Sequence, residues 1–173
     1  MNILVLNGSP RANGNCADMI AGFKAGAEEA GHTVVVEQVG KMHINGCLAC
    51  EYCHTKEDKV CVQKDDMQQL YPQMLSADMI VLASPIYYYT LSAQLDAVIQ
   101  RTYSCGALKN VKKLAMILSS GSPNVYGAAV YLYEKCLVRY WDAENAGIFT
   151  AHGEENHSKE KWEELYQFGK SLQ

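Results

Sequence analysis

The stretch Leu4-Val5-Leu6-Asn7-Gly8-Ser9-Pro10-Arg11-Ala12-Asn13-Gly14-Asn15-Cys16 decides how the rest of the chain is read. An aliphatic run suited to a buried strand stops at a polar loop punctuated by glycines, and an apolar stripe of helical spacing begins at once. A turn of this kind aims free backbone N–H groups and the positive end of a helix at one point, which suits a phosphate group. Ser9, Asn13 and Asn15 add neutral donors, and Arg11 adds one flexible positive charge. No Gly-Lys-Ser/Thr follows, so the loop is not a Walker loop, and without Gly-x-Gly-x-x-Gly it is not a dinucleotide fingerprint either. Read alone, the same residues also suit an ordinary strand-to-helix turn with a good cap.

Working outward, strand and helix signals alternate along the whole chain. Strands are expected at Asn2–Leu6, Thr33–Val39, Met79–Ser84, Lys113–Ser119 and Ala146–Ala151. Most are short β-branched or aliphatic runs without polar alternation, as in strands covered on both faces. Between them, Ile20, Phe23, Ala27 and Ala30 form a helical stripe that stops at Gly31. Leu91, Leu95, Val98 and Ile99 form another, and Val125, Ala129, Leu132, Cys136 and Tyr140 a third. Trp162, Leu165, Phe168 and Leu172 mark a last helix, with Ser158 as its N-cap. Strands separated by crossover helices imply an α/β fold, a parallel sheet with helices on both faces.

Bulk properties narrow the function classes. The 173 residues are about one domain's worth, and 49% apolar with 20% charged residues is a globular composition. A net charge of −4 with both signs dispersed argues against a nucleic-acid surface. No apolar run approaches the ~20 residues that span a bilayer. The start Asn2-Ile3-Leu4-Val5-Leu6 is too short for a signal-peptide core, so a cytoplasmic protein without a membrane partner is expected. Seven cysteines in a reducing compartment then point to metal, cluster or redox chemistry before disulfides.

Four of those cysteines fall in the one interval that breaks the α/β rhythm, residues 41–64, a polar stretch long enough to suggest a function. Cys47, Cys50 and Cys53 stand at every third position, and Cys61 follows after seven residues. Three thiols so spaced can converge on one cluster, and a fourth can close it. A four-thiolate zinc site is chemically feasible, although such sites more often pair two C-x2-C knuckles. Free thiols packed in a loop are the third reading. His54 is an additional ligand candidate or an ordinary hydrogen-bonded loop residue. Asp65-Asp66 reads as a helix cap that also matches the helix dipole. His152-Gly153-Glu154-Glu155-Asn156-His157 reads as the lead into the last helix, and Cys105 and Cys136 as packing residues.

The chain closely resembles the flavodoxin-like NAD(P)H-dependent FMN reductases, a group that includes the iron–sulfur flavoproteins. The resemblance covers nearly the whole chain. It rests on Gly8-Ser9-Pro10-Arg11…Gly14-Asn15, on Asp65-Asp66-Met67, and on Ala83-Ser84-Pro85-Ile86-Tyr87-Tyr88-Tyr89…Ser92-Ala93-Gln94-Leu95. It implies one flavodoxin-like FMN-binding domain over residues 1–173, with 41–64 as a cysteine-rich insertion. The fold would be a three-layer sandwich around a five-stranded parallel sheet of order 2-1-3-4-5, with FMN at the carboxyl ends of the strands.

Carried over by position, Ser9, Arg11, Asn13, Asn15 and Cys16 would hold the FMN phosphate. Cys16 departs from the family, which usually has Thr or Ser there; a thiol is a weak donor, so weaker FMN retention is expected. Pro85, Ile86, Tyr87, Tyr88 and Tyr89 would flank the isoalloxazine ring, where a rigid Pro and aromatic side chains suit a flat apolar group. The third matching loop, Ser119-Ser120-Gly121-Ser122, places Ser120 and Gly121 near the ribityl chain or ring edge. In the iron–sulfur members a compact C-x2-C-x2-C motif with a later fourth cysteine binds a [4Fe–4S] cluster, which would make Cys47, Cys50, Cys53 and Cys61 its ligands. Many flavin-only relatives keep cysteines there too.

The resemblance therefore implies an oxidoreductase that passes electrons from NAD(P)H through FMN to a small-molecule acceptor. The flavin carries the chemistry and no side-chain acid, base or nucleophile is required. An electron carrier fed by ferredoxin through a [4Fe–4S] cluster is the alternative, and a non-catalytic flavin-binding redox module is a third reading. Family members are often dimers or tetramers with the flavin near a subunit interface, so a homo-oligomer is expected.

Overall fold

The computed structural model describes residues 1–55 and 61–173. Strands β1 (Asn2–Asn7), β2 (Thr33–Glu37), β3 (Met79–Pro85), β4 (Lys113–Ser120) and β5 (Glu144–His152) form one sheet. All neighbours pair in parallel, in the order β2-β1-β3-β4-β5. This is the flavodoxin-like order. The helices are α1 (Asn15–Glu29), α2 (Tyr52–Thr55), α3 (Met67–Ser76), α4 (Ala93–Arg101), α5 (Gly127–Tyr131), α6 (Val138–Tyr140) and α7 (Lys159–Ser171). Among the described residues no helix is long and apolar enough to cross a membrane.

The central strands explain the apolar runs. Every residue of β3 is buried, as is every residue of β1 after Asn2, because helices cover both faces. Ile3, Val5, Val81 and Ile117 face α1 and α7, while Leu4, Leu6, Leu82 and Leu118 face α3, α4 and the segment 127–140. The two cores thus follow the two-residue period of the strands.

Helix α1 ends where its glycine stands: Gly31 takes a φ of +86°, and the His32 N–H closes on the Ala27 carbonyl at 3.0 Å. α1 and α7 touch backbone to backbone. A side chain at Gly26 would overlap the Tyr166 carbonyl, and one at Gly169 would overlap that of Phe23. Phe168 fills the space beside this contact, 5.5 Å from the Phe23 ring and 4.5 Å from the Phe149 ring.

Two expectations are corrected. β2 ends at Glu37, not Val39, because Gln38 turns the chain into a short 3₁₀ turn, Val39–Lys41. The third helical stripe has the wrong phase: Ala129, Tyr133, Leu137 and Trp141 are buried, whereas Cys136 and Tyr140 are exposed. The cause is a π-helical run at Leu132–Leu137 between α5 and α6. Its wider turn moves the buried face to a strict four-residue spacing that a 3.6-residue period does not foresee.

Candidate functional site at the carboxyl edge of the sheet

Three loops leave the carboxyl ends of β1, β4 and β3 side by side. The first continues the ladder by one bond, Gly8 N–H to the Ala83 carbonyl at 2.8 Å. Asn7 is buried and its Oδ1 accepts the Ser9 N–H at 3.0 Å, an Asx-type turn that reverses the strand. The Ser9 hydroxyl accepts the Arg11 N–H at 3.2 Å and donates to the Arg11 carbonyl at 3.1 Å, closing a tight loop. Gly14 is the N-cap of α1, and among the described residues no side chain caps that helix. The Ala17 N–H turns back to the Gly14 carbonyl at 2.7 Å, and exposed Arg11 and Asn13 and half-buried Asn15 surround the helix N-terminus.

This donor set suits a phosphate dianion: a helix N-terminus, one guanidinium, and neutral amides, with no carboxylate among Ser9–Cys16. The Cys16 thiol does not join it. It lies buried 3.2 Å from the Ser119 hydroxyl, and burial pushes it up to about 11, against the opposing pull of Ser119 and Arg11. What Cys16 offers the loop is its backbone N–H.

The second loop follows β3. Pro85 is buried at the strand end, and the Ile86 N–H bonds to the Ser119 carbonyl at 2.7 Å. Tyr87 and Thr90 then pair across a tight turn whose two central residues, Tyr88 and Tyr89, have φ of +52° and +70°. Two left-handed residues in succession define a primed turn, which normally uses Asn and Gly. Aromatic residues there are strained, and the rings they carry are largely solvent-exposed, Tyr88 at 97%. The third loop follows β4. The Ser120 hydroxyl donates to the Ser122 carbonyl at 2.7 Å and meets the Tyr126 hydroxyl at 2.7 Å, while Tyr126 donates to the Ala151 carbonyl at 2.9 Å. From the turn after β5, buried Asn156 donates to the Ser120 carbonyl at 3.0 Å.

The second and third loops enclose an open pocket of about 210 Å³ lined by Ile86, Tyr88, Tyr89, Ser120, Gly121, Ser122 and Val125. Five of the cofactor residues expected from the sequence thus share one concavity, which Tyr88 and Tyr89 line with rings set edge to face at 81°. A larger hollow of about 290 Å³ lies between α1 and α7, around Asp18, His157 and Trp162. It lacks all three loops, and volume does not decide the site.

The cysteine loop packs beside this edge, against α3 and the end of α4. Arg101 is 1% exposed, and its guanidinium grips Asp65 with two bonds, 2.6 and 3.1 Å, and the Asn45 carbonyl with a third at 3.0 Å. Asp65 also accepts the Asn45 N–H at 3.1 Å, and Asp66 accepts the His43 N–H at 2.7 Å. The expected helix cap is therefore only part of what this pair does: Asp65 accepts the Met67 N–H at 3.2 Å, but no side chain of Asp66 caps α3. Mainly the two carboxylates tie the loop down. Burial would raise the Asp65 carboxyl, and the bonds from Arg101 and Asn45 hold it below its ordinary value.

Cys47 and Cys50 are exposed, Cys61 half-buried and Cys53 buried. Burial pushes the Cys53 thiol up, with Cys61, Cys47 and Cys50 adding to the shift. Among the described residues no three His, Cys, Asp or Glu side chains stand close enough to hold a metal ion. His54 is engaged otherwise, its ring tilted 4.4 Å from that of Tyr103 and its Nε2 3.1 Å from the Tyr103 carbonyl.

Sequence reasoning missed Asn7, Gln38, Tyr126, Asn156 and Arg101. Arg101 carried a signal: it continues the stripe Leu95–Val98 three residues on, so a charge sits on an apolar face. Asn7, a polar residue closing an aliphatic strand, was a second signal.

The sheet order and the three loops at its carboxyl edge define a flavodoxin-like protein. Residues 1–164 match the family described as NADPH-dependent FMN reductase, and the chain belongs to it. An iron-sulfur flavoprotein of Archaeoglobus fulgidus is 33% identical over 65% of this chain and 50% of its own length. One from Methanosarcina thermophila is 34% identical over 70% of this chain and 63% of its own length. The chain thus spans less than two thirds of these relatives. The solved NAD(P)H:quinone oxidoreductase from Methanothermobacter marburgensis superposes with a TM-score of 0.72 at 17% identity, covering 100% of this chain and 99% of that one. At that identity the likeness concerns the fold.

Proposed function

We propose that the chain binds FMN at the carboxyl edge of its sheet and works as an FMN-dependent oxidoreductase, taking electrons from NAD(P)H and delivering them to a small-molecule acceptor. The observation that carries this reading is the juxtaposition of an uncapped α1 N-terminus beneath Arg11 with the aromatic-walled pocket of Ile86, Tyr88, Tyr89 and Gly121. Family membership supports it. FMN supplies hydride and electron transfer when bound. The chain's own residues do the rest. The first loop and Arg11 anchor the phosphate, with the backbone of Asn15 and Cys16. Ser120 and Gly121 meet the polar edge of the ligand, and Pro85–Tyr89 bound the flat ring and restrict access to it. The exposed tyrosines also give a second copy of the chain a surface to cover, in keeping with a homo-oligomer.

Protein purified anaerobically should show paired flavin absorption bands and release FMN on denaturation. A colourless protein that does not quench added FMN would sink the proposal.

A second reading is supported by the spacing of Cys47, Cys50 and Cys53 at every third position with Cys61 beyond them, and by the names of the two relatives, both iron-sulfur flavoproteins. In it the four cysteines hold an iron–sulfur cluster that accepts electrons from ferredoxin. No three of the described thiols stand together at metal-binding distance. Iron and sulfide retained after anaerobic reconstitution, with reduction by ferredoxin and not by nicotinamide, would put this reading first.

A further inference from the structure

The first loop is held by a device that lies outside it. Asn7, Gln38 and Ser9 form a closed cycle of three hydrogen bonds. Asn7 Oδ1 accepts the Ser9 N–H at 3.0 Å, the Ser9 carbonyl accepts Gln38 Nε2 at 3.4 Å, and Gln38 Oε1 accepts Asn7 Nδ2 at 3.1 Å. The cycle joins the end of β1 to the residue that terminates β2. Two steps further on, the backbone of Gly40 lies flat on the Ser9 carbonyl, where any side chain would overlap it. On the opposite side a side chain at Gly8 would strike the Ser92 hydroxyl and the Leu95 side chain at the start of α4. The Gly8–Ser9 peptide is therefore clamped between the exit of β2 and the entry of α4, and Asn7 and Ser9 are 1% and 2% exposed.

We infer that Gln38 is a positioning residue for the anion loop: through Ser9 and Asn7 it fixes the direction in which the Asn13–Cys16 N–H groups point, and so sets affinity for the phosphate end of the ligand. This inference rests on the FMN reading. Gln38 touches no proposed ligand atom, and it is half-buried, so its loss removes two hydrogen bonds without opening the core. The bonds lost leave the buried Asn7 amide and Ser9 carbonyl without these partners, and the loop is freed to relax. A loop that must be ordered by the ligand binds it more weakly than one ordered beforehand.

The test uses protein stripped of flavin and two ligands that differ only in the phosphate, FMN and riboflavin, titrated by fluorescence. Gln38→Met keeps the length of the side chain and removes both bonds; Gln38→Glu keeps the acceptor for Asn7 and sets a carboxylate against the Ser9 carbonyl. Both variants should bind FMN about tenfold more weakly, Gln38→Glu at least as weakly as Gln38→Met, with riboflavin affinity within about twofold of the parent. Unchanged FMN affinity in both would overturn the inference, as would an equal loss for both ligands, which marks a general structural defect. A parent protein that binds FMN no better than riboflavin would overturn the phosphate reading itself, whatever the variants do.

Discussion

Arg101 and Asp65 form a two-pronged ion pair, 2.6 and 3.1 Å, with both side chains at most 4% exposed. Arg101 comes from the last turn of α4 and Asp65 from the residues before α3, and through the Asn45 backbone the pair holds down the cysteine loop. Removing one partner leaves the other charge buried, at a cost of about 3–5 kcal/mol. Arg101→Met and Asp65→Leu should each lower the unfolding free energy by that measure in denaturant titration, and the two together should cost less than the sum of the singles. Additive losses in a double-mutant cycle would show that the pair is not coupled.

The same pair has a pH signature. The Asp65 carboxyl lies below its ordinary value, so its contribution is present above about pH 4 and is lost as the pH falls through the lowered value. Arg101 stays charged throughout this range. Acid unfolding followed by circular dichroism should therefore be less steep below about pH 4 in Asp65→Asn than in the parent. Identical acid limbs would remove Asp65 from the account.

Tyr88 and Tyr89 hold left-handed backbone conformations that cost an ordinary residue about 1–2 kcal/mol each. Replacing them by Asn and Gly, which suit a primed turn, should raise stability by about 1 kcal/mol or more. The same change should weaken flavin binding or turnover, since the strained turn presents the aromatic wall of the pocket. A double variant that is more stable and fully active would mean that the two rings serve another purpose.

The thiols should separate by reactivity. Cys47, Cys50 and Cys136 are exposed, whereas Cys16 is buried against Ser119 and pushed up to about 11. Alkylation at pH 8 followed by mass spectrometry should label the exposed three quickly and Cys16 only after unfolding. Cys16→Ser should keep the contact with Ser119 and leave FMN affinity nearly unchanged. A marked gain in affinity would instead place that side chain on the phosphate.

Much of this architecture was legible in the residues. The runs at β1, β3 and β4 are apolar because both faces of the sheet are covered, and Gly31 marks a left-handed helix end. The passage from β1 through the loop into α1 could be read from Leu4 to Cys16 alone, since strand, turn and helix are contiguous there. Arrangements that join distant parts of the chain were hidden. Gln38 reaches Ser9 and Asn156 reaches Ser120 only because the parallel sheet brings their loops to one edge, and Arg101 reaches Asp65 only because α3 and α4 share one face of the sheet. The π turn at Leu132–Leu137 was hidden for another reason: one extra residue per turn changes the buried face while leaving composition and helical propensity untouched.

Anaerobic titration of the FMN-loaded protein with NADPH and with NADH, followed by absorption, tests the central claim most directly. Bleaching of the flavin bands by at least one nicotinamide, with recovery on adding a quinone or azo acceptor, is the result expected of a flavin oxidoreductase. Bands that stay oxidised with both nicotinamides while dithionite bleaches them would contradict it.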